Sequence, residues 1–145
     1  MKNPWTLVKT AIDNHWEEGR QGTGYERFPL LPIAVRKFFK FDMLFIRMKE
    51  GIEVPAHYDF VPIQHQAVGY WVHRRFNIIL KQPKKGGRFY IMVNHNWNRP
   101  DEEPFWEQWF TDKRINYFSP SHVEHGVTKI EEGERLVLSL GWVSR

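Results

Sequence analysis

The chain contains no cysteine. Disulfide frameworks, thiolate-held zinc and iron–sulfur clusters are thereby excluded, and any metal must be held by nitrogen and oxygen ligands. Long apolar runs are missing too. No stretch approaches the roughly 18 consecutive apolar residues of a membrane span, and the opening MKNPWTLVKTAIDNHWEEG has no apolar signal core. A soluble, cytoplasmic protein without membrane association is therefore expected. No block of five like charges occurs, and the net charge of +4 admits an anionic ligand or nucleic acid without pointing to either. Internal repeats, low-complexity tracts and interdomain linkers are absent as well.

What is present suits one domain over residues 1–145 with a real core, since 41% of the residues are hydrophobic and 16% aromatic. Asn3-Pro4 followed by WTLVKTAIDNHWEEG predicts an N-terminal helix, with Asn3 as cap, Leu7, Ala11, Ile12 and His15 at helical spacing and Gly19 as the stop. QGTGYERFPLLPIA is rich in Gly and Pro and predicts a loop, so residues 1–35 form a helix and loop and 36–145 a β-core. Within that core a strand is expected over 41–48. RRFNIILKQP and RFYIMVN are expected to form a hairpin around Pro83–Gly87, and NRPDEEPFWEQWF a short helix or irregular insertion. Strands follow at INYFS, GVTKI and ERLVLSLGWV. Short strands at near-regular spacing predict a mainly β sandwich or barrel.

The stretch AHYDFVPIQ, residues 56–64, places His57 and Asp59 two positions apart after a strand-like run. Residues i and i+2 share one face of a strand, so the imidazole and carboxylate stand side by side, able to hold a metal or merely each other. Two later features complete a pattern: His125 in SPSHVEHGV and Arg135 in GERLVLSL. Two histidines and one carboxylate make the facial triad that leaves positions open on non-haem Fe(II), and a nearby Arg can pair bidentately with a carboxylate. Spacing alone does not decide this. A chance His-x-Asp is expected about 0.2 times and a His followed ten positions later by a base about once, as His65 and Arg75 illustrate. An equally open reading is a hydrogen-bonded His57–Asp59 pair, with Arg135 tied to a glutamate such as Glu131.

The wider text resembles the 2-oxoglutarate- and Fe(II)-dependent dioxygenases, in particular their aspartyl/asparaginyl β-hydroxylase-like branch, over residues 50–143. The resemblance is carried by HYDF…RRFNIILKQPKKGGRFYI and by YFSPSHVEHGVTKIEEGERLVLSLGWV. It implies a double-stranded β-helix of the jelly-roll, cupin-like kind. His57, Asp59 and His125 would then be the iron ligands. Arg135 would pair with the distal carboxylate of 2-oxoglutarate, with Arg75 and Asn77 near the cosubstrate's other end. A His stands in the β-hydroxylase pattern where this chain has Asn77, whereas Asp59 matches the fuller triad of the wider family. His122 is the rival to His125, which keeps Val127 and Arg135 in family register. The implied activity consumes 2-oxoglutarate and O2 and hydroxylates a C–H bond. A peptide or protein side chain (Asp, Asn or Pro) is the first substrate class, then nucleic acid, then a small metabolite. A cupin-like binding module without redox chemistry is the alternative from another class. His65, His73 and His95 read as surface, loop or substrate-side groups, and Trp71, Trp97, Trp106 and Trp109 read mainly as packing.

Overall fold

The computed structural model describes residues 16–18, 24–60, 69 and 72–145. Its strands are β1 (Glu17–Glu18), β2 (Glu26–Pro29), β3 (Phe41–Met48), β4 (Val54–His57), β5 (Val72–Lys81), β6 (Lys85–Gly86), β7 (Phe89–Asn94), β8 (Trp106–Thr111), β9 (Ile115–Phe118), β10 (His125–Val127), β11 (Ile130–Glu132) and β12 (Arg135–Ser144), and α1 spans Ile33–Phe39. A six-stranded sheet in the order β1-β2-β3-β12-β5-β9 faces a four-stranded sheet in the order β4-β10-β7-β8, and β11 and β6 make a small ladder at one end. Every pairing is antiparallel. The mainly β, double-stranded β-helix expected from the sequence is the observed architecture.

The long strands show why the sandwich has a polar interior. In β12 the alternation puts Arg135, Val137, Ser139 and Gly141 inward, all buried, while Leu136, Leu138 and Leu140 take the half-buried outer face. Gly141 lies opposite both Asp42 of β3 and Arg75 of β5, and Ser139 opposite Leu44 and Asn77. The apolar core gathers at the other end, where Met48, Val54 and Ile130 pack with Tyr25, Ile46, Ile52 and Val127 around them. Ile130 is pinned there by its N–H to the Ile52 carbonyl (2.9 Å) and by the Gly51 N–H to its own carbonyl (2.8 Å).

Several expectations are corrected. Glu17 and Glu18, the tail of the expected N-terminal helix, form a strand, and the rest of that helix lies outside the described residues. Within the expected loop, Glu26–Pro29 pairs with β3 and is part of the six-stranded sheet, and Ile33–Phe39 is helical, so strand pairing extends into the region expected as loop. The segment 24–35 reads as loop because Pro29 and Pro32 bracket short elements, and α1 buries no residue that would give it a periodic signature. Strands β5 and β7 are not hairpin partners: β5 pairs with β12 and β9, β7 with β10 and β8, and the turn between them carries the chain from one sheet to the other. Of the expected insertion, residues 98–105 are turns and irregular backbone, whereas Trp106–Thr111 is an edge strand on β7. Among the described residues no helix is long and apolar enough to cross a membrane.

Candidate metal centre

Strand β4 ends at His57 and runs antiparallel to β10, with His57 directly opposite His125. Directly opposed residues project to one face, and the two rings lie 4.4 Å apart. Gly126 makes the approach possible: a Cβ there would stand 2.5 Å from the Tyr90 hydroxyl and 2.6 Å from the Val54 carbonyl. Asp59 lies beyond the strand end, held by its backbone N–H to the Pro120 carbonyl (2.8 Å). Its Oδ1 stands 3.2 Å from His57 Nε2 and 4.0 Å from His125 Nε2. One ligand atom from each of His57, Asp59 and His125 falls within 4.8 Å of the others.

The tautomers follow from the outer contacts. His57 Nδ1 donates to the Pro55 carbonyl (2.8 Å) and His125 Nδ1 to the Val123 carbonyl (2.9 Å). A carbonyl can only accept, so each Nδ1 carries a hydrogen, and each Nε2 faces Asp59, where the neutral ring can offer its lone pair to a metal. With neutral imidazoles the three groups offer two nitrogens and one oxygen toward one point, a donor set that fits a divalent metal of the Fe(II) type. Burial, countered by the Val123 carbonyl and the Asp59 charge, pushes the His125 imidazole below its ordinary pKa, which favours the neutral ligand form. Burial alone would raise the Asp59 carboxyl, but the His57 hydrogen bond and the charges of His125 and Arg75 together hold it lower.

A cavity of about 550 Å³ between the sheets contains the triad, Arg75, Asn77 and Arg135, with apolar walls that include Leu44, Ile46, Val54, Phe89 and Val137. Arg135 is 4% exposed and donates to the Gly87 carbonyl at 2.9 Å. Among the described residues no carboxylate pairs with it; Glu131 pairs instead with Lys85. Burial pushes its pKa down to about 10, so it remains charged at neutral pH. Arg75 is bound within the chain, to Asp42 Oδ2 (3.0 Å), Ser139 Oγ (2.8 Å) and His73 Nε2 (3.3 Å), and Ser139 in turn donates to Asn77 Oδ1 (2.6 Å).

All six expected site residues therefore border one cavity. His122 does not join them: its Nδ1 is engaged by the hydroxyls of Ser119 and Ser121 (3.1 and 3.0 Å). His95 pairs with Glu107, away from the cavity, while His65 and Trp71 lie outside the described residues. Asp42 and Ser139 escape sequence reasoning, and His73 reads there only as a surface, loop or substrate-side group. Asp42 and Ser139 are distant in sequence from their partner Arg75. His73, two positions before Arg75 on the same strand face, could have been found by extending the period-two file His73, Arg75, Asn77 backward.

No protein-family model and no curated sequence matches the chain. Among solved structures it is similar to a prolyl-4-hydroxylase from Pseudomonas putida, at 15% identity and a TM-score of 0.60, covering 97% of this chain and 83% of that one. It is also similar to a viral collagen prolyl hydroxylase of Paramecium bursaria Chlorella virus-1 in complex with 2-oxoglutarate, at 14% identity and a TM-score of 0.54, covering 94% and 83%. A vicilin from Solanum melongena matches at 11% identity and a TM-score of 0.54, over 87% of this chain and 30% of that one. At these identities the likeness is one of fold, the double-stranded β-helix shared by the 2-oxoglutarate oxygenases and the cupins. These neighbours do not support the aspartyl/asparaginyl branch that the sequence motifs resemble.

Proposed function

We propose that this chain is an Fe(II)- and 2-oxoglutarate-dependent dioxygenase that hydroxylates an amino-acid side chain in a peptide or protein. The observation that carries the reading is Arg135, a buried guanidinium with no acidic partner among the described residues, in the same cavity as the triad. A buried cation is costly without a counter-charge. A ligand with two anionic ends joined by a short aliphatic chain satisfies the cavity at both ends, one at the metal and one at Arg135. The walls of Leu44, Ile46, Val54 and Val137 suit its methylenes.

His57, Asp59 and His125 would hold the iron. When bound, it supplies the redox chemistry that couples O2 and 2-oxoglutarate to C–H hydroxylation, releasing succinate and CO2. The chain's own work is positioning. The two Nδ1–H bonds to backbone carbonyls fix the imidazole planes. Arg135 orients the distal carboxylate through its planar fork, which a lysine ammonium cannot reproduce. Arg75 and Asn77, braced by Ser139, border the end of the cosubstrate nearer the metal. Phe118 packs edge-on against His125 at 4.8 Å and helps keep water from that side.

Tyr58 and Phe60 flank Asp59 at the cavity, and Phe60 is 89% exposed. An exposed aromatic at the mouth suits a peptide segment, and the prolyl hydroxylase neighbours favour proline as the first residue to try. The test is succinate formation from 2-oxoglutarate in the presence of Fe(II), O2 and peptides carrying Pro, Asn or Asp. The reading requires Fe(II)-dependent succinate that one peptide class stimulates. No 2-oxoglutarate turnover with any peptide or with single-stranded nucleic acid would leave the binding-module alternative.

A further inference from the structure

His73 sits at the start of β5 on the cavity wall, and nothing in the proposed chemistry uses it. Its backbone is clamped from two sides: Ser119 Oγ donates to its carbonyl (2.7 Å) and its N–H reaches Ser121 Oγ (3.2 Å). The same turn, through the Pro120 carbonyl, holds the Asp59 N–H. One short segment thus sets the distance between His73 and Asp59. The ring is fixed as well. Nη2 of Arg75 lies 3.3 Å from His73 Nε2, and because a guanidinium only donates, Nε2 is the acceptor and Nδ1 carries the hydrogen. That Nδ1 is buried without a hydrogen-bond partner. It points at Asp59 Oδ2, 4.0 Å away.

The two oxygens of Asp59 therefore face different neighbours: Oδ1 faces the two Nε2 atoms of the triad, and Oδ2 faces His73. We infer that His73 is a positioning residue for the metal site, its Nδ1–H taking Oδ2 of Asp59 as acceptor so that Oδ1 alone is presented to the metal. Closing the gap to hydrogen-bond length needs a movement of about 1 Å, within reach of a side-chain rotation at Asp59. The hydrogen bond supplies a partner to a buried donor that otherwise has none, and it holds the carboxylate in one-oxygen binding. A one-oxygen carboxylate leaves more of the coordination sphere for cosubstrate. The chain Arg75, His73, Asp59 then links a cationic group in the cavity to the ligand carboxylate through a single neutral ring.

This inference rests on reading the triad as a metal site, and the experiment separates the two. Metal-free protein is titrated anaerobically with Co(II), following its visible absorption, in the wild type and in Asp59→Ala, His73→Leu, His73→Asn and His73→Gln. Thermal melts of each variant establish folding. Asn places an amide N–H where Nδ1 stood, and Gln places one nearer the Nε2 position. The expected result is that Asp59→Ala abolishes binding and His73→Leu weakens it about 10- to 100-fold. His73→Asn should recover most of the affinity and the wild-type band shape, and His73→Gln should not. If Asp59→Ala titrates like the wild type, the metal reading itself fails. If Asp59→Ala loses Co(II) but His73→Leu does not, or if Asn and Gln weaken binding equally, the positioning role is overturned while the metal reading stands. Should His73→Leu fail to fold, the Asn-against-Gln difference still decides.

Discussion

The guanidinium of Arg75 lies across the backbone of Gly141, so close that a Cβ at that position would fall 2.7 Å from Nη2 and 2.9 Å from Cζ. Asp42 Oδ1 would stand 2.6 Å from the same Cβ. The absence of a side chain at 141 is what lets the Arg75–Asp42 ion pair cross the sheet over β12, opposite residues on either side of it.

Gly141→Ala is accordingly expected to push the pair off the strand and destabilise the protein by about 1–3 kcal/mol, the usual cost of overpacking a filled site. Urea denaturation of the metal-free protein measures this. Wild-type stability in the variant would mean that the ion pair can shift without loss.

Arg135→Lys keeps the charge but not the fork. The expected outcome is a loss of about tenfold or more in 2-oxoglutarate affinity, equal to about 1.4 kcal/mol or more, while Co(II) binding at the triad is retained. Isothermal titration with 2-oxoglutarate reads it directly, and unchanged affinity would remove Arg135 from the cosubstrate site.

The two candidate distal histidines separate cleanly. His122→Ala should leave metal affinity at the wild-type level, since its Nδ1 is occupied by two serine hydroxyls. His125→Ala should abolish it. The reverse pattern would mean that residues 119–125 rearrange on metal binding.

Acid should weaken the metal-free fold. Burial and the Arg75 charge push the His73 imidazole down to about 4, and burial also lowers that of His125. As pH falls below the ordinary value of 6.5, the unfolded chain takes up protons that the folded chain refuses, so stability falls with pH until the folded groups titrate. Asp59, held low in the folded state, adds a loss of the same sign below its ordinary value of 3.8. Denaturation midpoints at pH 7.5 and 5 check this: the drop should be smaller in His73→Asn than in the wild type, and an equal drop would count against the environment described for His73.

How much of this could be read from the chain depends on the range of the signal. Strand β3 is legible because FDMLFIRM is rich in aromatic and apolar residues and is closed off by Gly51. Likewise β12 follows a Glu-Gly turn with regular alternation. The His57–Asp59 neighbourhood is legible from a two-residue spacing, although the carboxylate lies past the strand and owes its place to Pro120 rather than to the pleat. What stayed hidden was set by register between distant strands. Nothing local to Asp42 or Gly141 announces that β3, β12 and β5 will align them with Arg75. The apolar file Leu136, Leu138, Leu140 takes the half-buried face, while the buried inward file carries the site. Assigning β5 and β7 to one hairpin failed for a related reason: Pro83 to Gly87 reads as a turn in either topology, and which sheet receives β7 is decided by its pairing with β10.

The most direct test is anaerobic. Fe(II) and 2-oxoglutarate are added to the purified protein and the visible charge-transfer absorption of the chelated cosubstrate is followed, with Asp59→Ala and His125→Ala beside the wild type. The account predicts a band in the wild type that is lost in both variants. No band in the wild type, with Fe(II) binding weak and indifferent to both substitutions, would contradict it and leave His57 and Asp59 as neighbours that hold only each other.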